Sequence, residues 1–324
     1  MKVIIPVAGS GTRLRPHTLA FPKALLHVAG KPVLAHVLEP VAQLKPDEVI
    51  FVVGFKGELI SQYVAQHYSF KATFVQQEKL LGLGYALYLA LQKAAAGPAL
   101  VLLGDTIVEC DLERFTRAGD FVLGLHTVKE PQHFGIAEVS AGKVVDVEEK
   151  PANSRSNLAL IGLYYFRNLQ VLKTELERQM QSGKLTYGEI QLTDALHGMI
   201  HAGNGFIPYE VSEWHDCGNK ETLLRTNRYL LQKLPSPRAV KGSLLVPPVY
   251  ISHTARIVNS IVGPNVTVSD DAVIENAVVT DSIVWPGARV GRVVLENSLV
   301  GYEAEVLSQA ASVNVGEASQ TRIC

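Results

Sequence analysis

The chain opens Met1-Lys-Val-Ile-Ile-Pro-Val-Ala-Gly-Ser-Gly-Thr-Arg-Leu-Arg-Pro16, and how this stretch is read decides the fold. Val and Ile run into a loop carrying Gly9, Gly11, Arg13 and Arg15. A short β-branched apolar run predicts a buried strand. Glycines at its carboxyl end let backbone N–H groups approach an anion closely. Spelling excludes two familiar phosphate loops. The dinucleotide fingerprint needs a glycine where Leu14 stands, and a Walker A loop needs Gly-Lys-Ser/Thr. The cations add weight: Arg13 sits within the loop, and Lys23 follows ten residues later in Phe21-Pro-Lys. A guanidinium and an ammonium beside backbone donors suit a polyphosphate. Taken singly, Gly-x-Gly is a tight turn and both cations are solvated surface charges.

Outward from the loop, strand and helix patterns alternate. Strands are predicted at Lys2–Val7, 49–53, 73–76 and 100–103. Between them, Val33, Leu34, Val37, Leu38 and Val41 share one helical face, as do Leu59, Ile60, Tyr63 and Val64. Such alternation predicts an α/β fold with an open, mainly parallel sheet flanked by helices. Residues 121–166 shift to strands and turns, with a hairpin through Ala141-Gly-Lys143, and helices return at 169–181, 190–201 and 220–232. Residues 235–248 hold four prolines, against 16 in the whole chain of 324, which predicts a stiff linker. Beyond it, Asn259-Ser-Ile-Val-Gly-Pro, Asp281-Ser-Ile-Val-Trp-Pro and Asn297-Ser-Leu-Val-Gly-Tyr recur at unequal spacing. Isolated Val and Ile among turn-forming residues predict stacked short parallel strands, a β-helix, rather than a small sandwich. The expected domains are 1–234, the linker 235–248, the repeats 249–309 and a polar tail 310–324.

Length alone argues for about two domains. Composition is that of an ordinary globular protein, 47% apolar and 19% charged. Thirty Lys and Arg against 31 Asp and Glu give a net charge of −1, so a nucleic-acid footprint is absent and any anion must be held locally. Apolar runs fall short of a membrane span, and no membrane partner is expected. Met1–Val7 is too short for a secretory segment. Cys110, Cys217 and Cys324 lie far apart without a CxxC pair, which argues against disulfides or structural zinc and for a reducing cytoplasm.

Gly9-Ser-Gly-Thr-Arg-Leu-Arg-Pro-His-Thr18 followed by Phe21-Pro-Lys-Ala24 resembles the nucleotide-binding loop of the sugar-phosphate nucleotidylyltransferases. These enzymes join a nucleoside triphosphate to a sugar 1-phosphate and release pyrophosphate. Further motifs follow in the family's order: Gln77 and Gly82 before Gly84-Tyr-Ala-Leu87, Leu103-Gly-Asp105, Phe134-Gly135, Glu149-Lys-Pro151, Gly162-Leu-Tyr164, Gly188-Glu-Ile-Gln-Leu-Thr-Asp194 and Trp214-His-Asp-Cys-Gly218. Within the family the chain is most similar to the glucose-1-phosphate thymidylyltransferases that carry a C-terminal left-handed β-helix. The resemblance implies a Rossmann-like mixed sheet. One departure stands out: Ala8-Gly9 replaces the two glycines usual in thymidylyltransferases, and this form is common among uridylyltransferases too. The base, thymine or uracil, stays open.

The resemblance also assigns roles. Ala8, Gly9, Ser10, Gly11 and Thr12 would bind the nucleotide, while Arg13 and Lys23 would absorb charge as the sugar phosphate attacks the α-phosphorus. Gln77 and Gly82 would read the base; a carboxamide suits the imide edge shared by thymine and uracil, with Gln76 as an outward-facing twin. Asp105 and Asp216 would hold Mg²⁺, although each alone reads as a turn or cap residue. Glu149 and Lys150 would take the sugar's hydroxyls and phosphate, and Gly135 would let the backbone approach the sugar. His215 and Trp214 read as filler and core. Two other functions compete: a non-catalytic nucleotide-sugar-sensing subunit, and an acyltransferase in the repeats, where His253 is the only histidine after the linker. The repeats are expected to serve structure and homo-oligomeric assembly.

Overall fold

The computed structural model describes residues 1–308; the polar tail expected at 310–324, with Cys324, lies outside the described residues. By contacts the chain divides into two units, residues 1–26 with 32–219, and residues 27–31 with 220 onward.

The first unit is built on a nine-stranded sheet. Its strands are β1 (Lys2–Pro6), β2 (Glu48–Val53), β3 (Ala72–Gln76), β4 (Ala99–Leu102), β6 (Phe121–Thr127), β7 (Gly135–Ser140), β8 (Lys143–Glu149), β9 (Leu158–Phe166) and β10 (Phe206–Glu210). β5 (Thr106–Glu109) and β11 (Glu213–Asp216) form a separate antiparallel pair. The sheet order is β3-β2-β1-β4-β9-β6-β10-β8-β7. Only β8 and β9 run against the others, so the sheet is mixed with a parallel core. The predicted hairpin joins β7 to β8 through Ala141 and Gly142, both at positive φ.

Strand periodicity sorts the core into two layers. Val3 and Ile5 face one way, packing with Leu34, Val37, Leu38 and Val41 of α1 (Val33–Gln43) and with Ile60 and Val64 of α2 (Gly57–His67). Ile4 faces the other way, toward α3 (Leu83–Leu91), α4 (Leu169–Ser182) and α5 (Leu192–His201). The apolar stripes legible in the sequence are therefore the buried stripes. Helices on both faces leave the carboxyl ends of β1, β2 and β4 open, where ligands bind in sheets of this kind.

The second unit is a three-sided parallel β-helix plus two pieces of preceding chain. Three four-stranded parallel sheets form its sides, and a coil advances 16 or 17 residues, as Val249↔Val266 and Thr267↔Ile283 show. The first coil begins at Leu244, inside the expected linker. Corners turn at left-handed backbone: Asn259, Asn276 and Arg292 in one column, Asn265, Asp281 and Asn297 in a second, Asp271, Gly287 and Glu303 in a third. Short polar side chains and glycine tolerate that conformation best. The columns explain the uneven repeat. Asp281 and Asn297 are equivalent corners, whereas Asn259 belongs to a different column, so the first interval spans one coil and one side.

Val and Ala fill the interior, with Trp285 wholly buried. α6 (Lys220–Leu231) and the small hairpin at 27–31 complete this unit. Asn227 of α6 is wholly buried and hydrogen-bonded through both its oxygen and its nitrogen. It accepts from Ala29 N at 2.9 Å and Thr267 Oγ1 at 2.6 Å, and donates to Asn265 O at 3.3 Å. Trp285 Nε1 donates to His27 O at 2.9 Å.

Candidate active site

The loop after β1 is held open by its own chemistry. Gly11 sits at φ +60, and a Cβ there would meet Thr18 Cγ2 at 2.8 Å, so a side chain is excluded on two counts. Thr18 Oγ1 donates to Gly11 O at 2.8 Å and pins the loop before Thr12–Leu14 turns back as 3₁₀. Around Gly9 the space is open.

A cleft of about 340 Å³ lies against this loop, and Ala8, Gly9, Ser10, Gln77, Gly82 and Asp105 line it. Gln77 is 5% exposed and donates to Lys79 O, whereas Gln76 is exposed and donates to Gly54 O. Gly82, at φ +95, lies where a Cβ would strike Ile190 O at 2.8 Å, and Gly84 N donates to that same carbonyl. The segment preceding α5 thus walls the cleft, and Leu80 and Glu189 join its lining.

Two carboxylates and two cations meet on the floor. Asp105 follows β4, and Asp216 ends β11, opposite Thr106 in register. Topology therefore brings together aspartates 111 positions apart in the sequence. Lys23 Nζ lies 2.6 Å from Asp105 Oδ2. Arg13 Nη2 and the Asp216 carboxylate both crowd the position a Cβ would take at Gly218, at 2.8 and 2.6 Å, so a side chain there would push both groups aside. Burial pushes the Asp105 carboxyl up, but the attraction and hydrogen bond of Lys23 outweigh it, and its pKa lies below the ordinary value. Asp216 ends above the ordinary value: burial and the nearby charge of Asp105 together exceed the pull of Lys23 and Arg13. Two hard carboxylates repelling one another fit a divalent cation such as Mg²⁺, which relieves that repulsion.

A second cluster lies along β7 and β8. Glu149 Oε2 accepts from Thr193 Oγ1 at 2.6 Å, and Lys150 Nζ stands 3.7 Å from Glu149 Oε1. Gly135 pairs with Glu149 across the strands, and a Cβ there would lie 3.0 Å from Thr193 Oγ1 and 3.1 Å from Glu149 Oε2. Lys150 adopts φ +46, its carbonyl accepts from Tyr187 OH, and its ammonium sits 5.7 Å from the Tyr187 ring. Residues 186–193 join the two clusters through Gln191, which donates to Glu189 Oε2 at 3.0 Å. Thr193, Tyr187 and Glu189 were not singled out from sequence. The signal for Thr193 and Glu189 was the stretch Gly188–Asp194, in which a threonine and a glutamate look like ordinary helix-start residues, and Tyr187 lies just before it. Trp214 packs with the core against Phe134, and neither Cys110 nor Cys217 is in a disulfide.

A mixed α/β sheet with a glycine loop, paired cations and paired carboxylates at its strand ends defines a protein that handles phosphorylated nucleotides. The nucleotidyl transferase family matches residues 2–233, and the GlmU-like C-terminal hexapeptide family matches residues 236–296. The chain belongs to the nucleotidyl transferase family, and its β-helix is of the left-handed hexapeptide type, as the motifs implied. A glucose-1-phosphate thymidylyltransferase of Streptomyces griseus is 32% identical over 95% of this chain and 94% of its own length. The bifunctional protein GlmU of Methanocaldococcus jannaschii is 32% identical over 75% of this chain and 57% of its own. Among solved structures, a Bacillus anthracis protein provisionally assigned as a glucose-1-phosphate thymidylyltransferase, in complex with a sucrose, superposes with TM-score 0.63 at 27% identity, over 74% of this chain and 98% of its own. Among the described residues no helix is long and apolar enough to cross a membrane.

Proposed function

We propose that the chain is a sugar-1-phosphate nucleotidylyltransferase that converts dTTP and glucose 1-phosphate to dTDP-glucose and pyrophosphate. The observation that carries this reading is the Arg13–Lys23–Asp105–Asp216 cluster beneath the glycine loop, beside a cleft with room for a nucleotide. In this reading residues 1–26 and 32–219 form the catalytic unit, and the β-helix with residues 27–31 and α6 forms an assembly module.

Backbone N–H groups of residues 8–12 cradle the triphosphate, and Gln77 meets the imide edge of the base at Gly82. Glu149, oriented by Thr193, accepts hydrogen bonds from the sugar hydroxyls, and Lys150 takes the sugar's phosphate. A phosphate oxygen of the sugar forms the new bond to the α-phosphorus as the bond to the pyrophosphate oxygen breaks on the opposite side. That oxygen is already anionic, so no general base is required, and His215 takes no part. Arg13 and Lys23 hold the charge that grows on the α-phosphoryl oxygens and the departing pyrophosphate. Asp105 and Asp216 would hold Mg²⁺, which supplies charge neutralisation across the phosphates. Holding two polyanions together is itself a large part of the rate gain.

UTP in place of dTTP is the second reading, since Ala8-Gly9 is a form also common among uridylyltransferases and leaves the base open. The S. griseus relative, aligned over nearly the whole chain, supports dTTP. Three scattered cysteines without a CxxC pair support a reducing cytoplasm as the protein's compartment. The deciding experiment is pyrophosphate release with Mg²⁺, crossing dTTP, UTP, ATP, CTP and GTP with several sugar 1-phosphates, and Asp105→Asn as the blank. Turnover with dTTP and glucose 1-phosphate, lost in the variant, is expected. Preference for UTP would replace the first reading with the second. Silence across the panel from folded protein would point to a sensing subunit.

A further inference from the structure

His197 and His201 stand four residues apart on α5, so their imidazoles project from one face a turn apart. Asp146 meets them from β8. The pairing of β8 with β7 slips between Val144 and Asp146, and a bulge of that kind re-aims a side chain. His197 Nδ1 lies 2.7 Å from Asp146 Oδ1 and His201 Nε2 lies 3.5 Å from the same oxygen, with the two rings 4.2 Å apart. One donor atom from each residue falls within 4.8 Å of the other two. Among the described residues this is the one trio of His, Cys, Asp or Glu that converges in this way. None of the three lines the nucleotide cleft, and nucleotidyl transfer gives them no task.

We propose that Asp146, His197 and His201 form a binding site for a zinc-class divalent ion that staples α5 to β8. Two imidazoles and one carboxylate suit Zn²⁺, Co²⁺ or Ni²⁺, whereas Mg²⁺ prefers oxygen donors throughout. In tetrahedral zinc sites the donors stand about 3.3 Å apart, between the closest and widest separations seen here. The side chains are 50, 57 and 40% exposed in the order His197, His201, Asp146, so small rotations suffice to close around an ion entering from solvent. The fourth position then falls to water. His197-Gly-Met-Ile-His201 has no glutamate beside its first histidine, so the HExxH arrangement of zinc hydrolases, with its general base, is absent. Its placement gives the staple a consequence. α5 carries Thr193 near its start and β8 ends in Glu149, so the ion would fasten the two elements that hold the Glu149–Thr193 pair.

The test uses full-length, tag-free protein in excess Mg²⁺, which keeps Asp105 and Asp216 occupied, and titrates ZnCl₂ calorimetrically and CoCl₂ by visible absorption. One equivalent of Zn²⁺ is expected to bind, with a tetrahedral Co²⁺ absorption band and a rise in Tm of a few degrees. His197→Ala, His201→Ala and Asp146→Asn should each weaken binding about tenfold or more and abolish the band, while His253→Ala leaves both unchanged. Metal-free circular dichroism and Tm of each variant separate lost ligation from lost folding, and His201→Gln serves where alanine unfolds the helix. Undiminished binding in a folded His197→Ala/His201→Ala double variant, or none in the wild-type protein, would overturn the site. Neither outcome depends on whether the chain turns over any nucleotide.

Discussion

Lys23 is the residue on which the floor of the cleft depends. Its ammonium lies against Asp105 and its charge also reaches Asp216, so it keeps two converging carboxylates compatible. Lys23→Met removes that charge from both the carboxylates and the departing pyrophosphate. Losing one preorganised donor of this kind costs about 10²–10³ in kcat, and steady-state pyrophosphate release should show a fall of that size. His27 makes a different kind of prediction. Burial pushes its imidazole down to about 4, against the opposing pull of Asp270, and its Nδ1 is buried without a hydrogen-bond partner. The folded protein therefore holds His27 neutral, while the unfolded chain protonates it near its ordinary value. Stability is full above that value, declines as pH falls from about 6.5, and its loss is complete below about 4, amounting to about 3 kcal/mol. Trp285 fluorescence in a Trp214→Phe background would follow denaturation of the second unit between pH 7 and 5. His27→Leu should flatten the dependence; an unchanged slope would mean that other groups carry it.

At the scale of elements, the sugar side depends on how α5 meets β8. Thr193 at the start of the helix donates to Glu149 at the end of the strand, and Gly135 on the facing strand leaves just enough room for both. Thr193→Val keeps the shape and removes the donor. A hydrogen bond to a charged group contributes about 1.5–3 kcal/mol, so KM for the sugar 1-phosphate should rise about tenfold or more with the KM for the nucleotide unchanged. Equal rises in both would show that the change disturbs the cleft at large. The elements themselves were largely legible. β1, β2, β3 and β4 fall within a residue or two of the predicted strands; in β1, β2 and β4 continuous runs of Val, Ile and Leu mark strands buried on both faces, while β3 is a half-exposed edge strand. The β-helix was legible in kind, from self-similar units, while its coil length was not, because the recurring asparagines and aspartates sit at more than one corner.

Over the whole molecule, the most telling surface runs along one side of the β-helix. Leu244, Ile261, Val278 and Val294 stand in register on four successive coils. Leu244, Ile261 and Val294 are 57, 40 and 77% exposed. An in-register apolar ladder facing water suits contact with another copy of the chain, in line with the homo-oligomer expected from sequence. Light scattering should find a multimer, and Ile261→Glu with Val294→Glu should reduce it to the monomer. A wild-type monomer would sink this assignment. The same unit constrains truncation. Leu223, Leu224, Asn227, Leu230 and Leu231 of α6 are buried, and Asn227 bonds into the coils. A chain ending at residue 234 should therefore expose that face and aggregate, as a sedimentation assay would show.

Local facts could be read from the residues alone: the glycine loop and its cations, the alternation of strand and helix, the hexapeptide grammar, and the order of motifs that marks the family. Each lies within a few neighbouring residues, where backbone preference and side-chain period act directly. Whatever depends on distant segments meeting had to come from packing in three dimensions. Asp105 and Asp216 become a pair because β5 and β11 run antiparallel, and their carboxyls shift in opposite directions because Lys23 bonds Asp105 directly, while at Asp216 burial and the Asp105 charge outweigh its pull. The hairpin at 27–31 joins the second unit although both its flanks belong to the first, since Asn227 and Trp285 satisfy its backbone from far along the chain. Asp146, His197 and His201 converge for the same reason. Side-chain chemistry is written residue by residue, but which groups share a space is settled by packing.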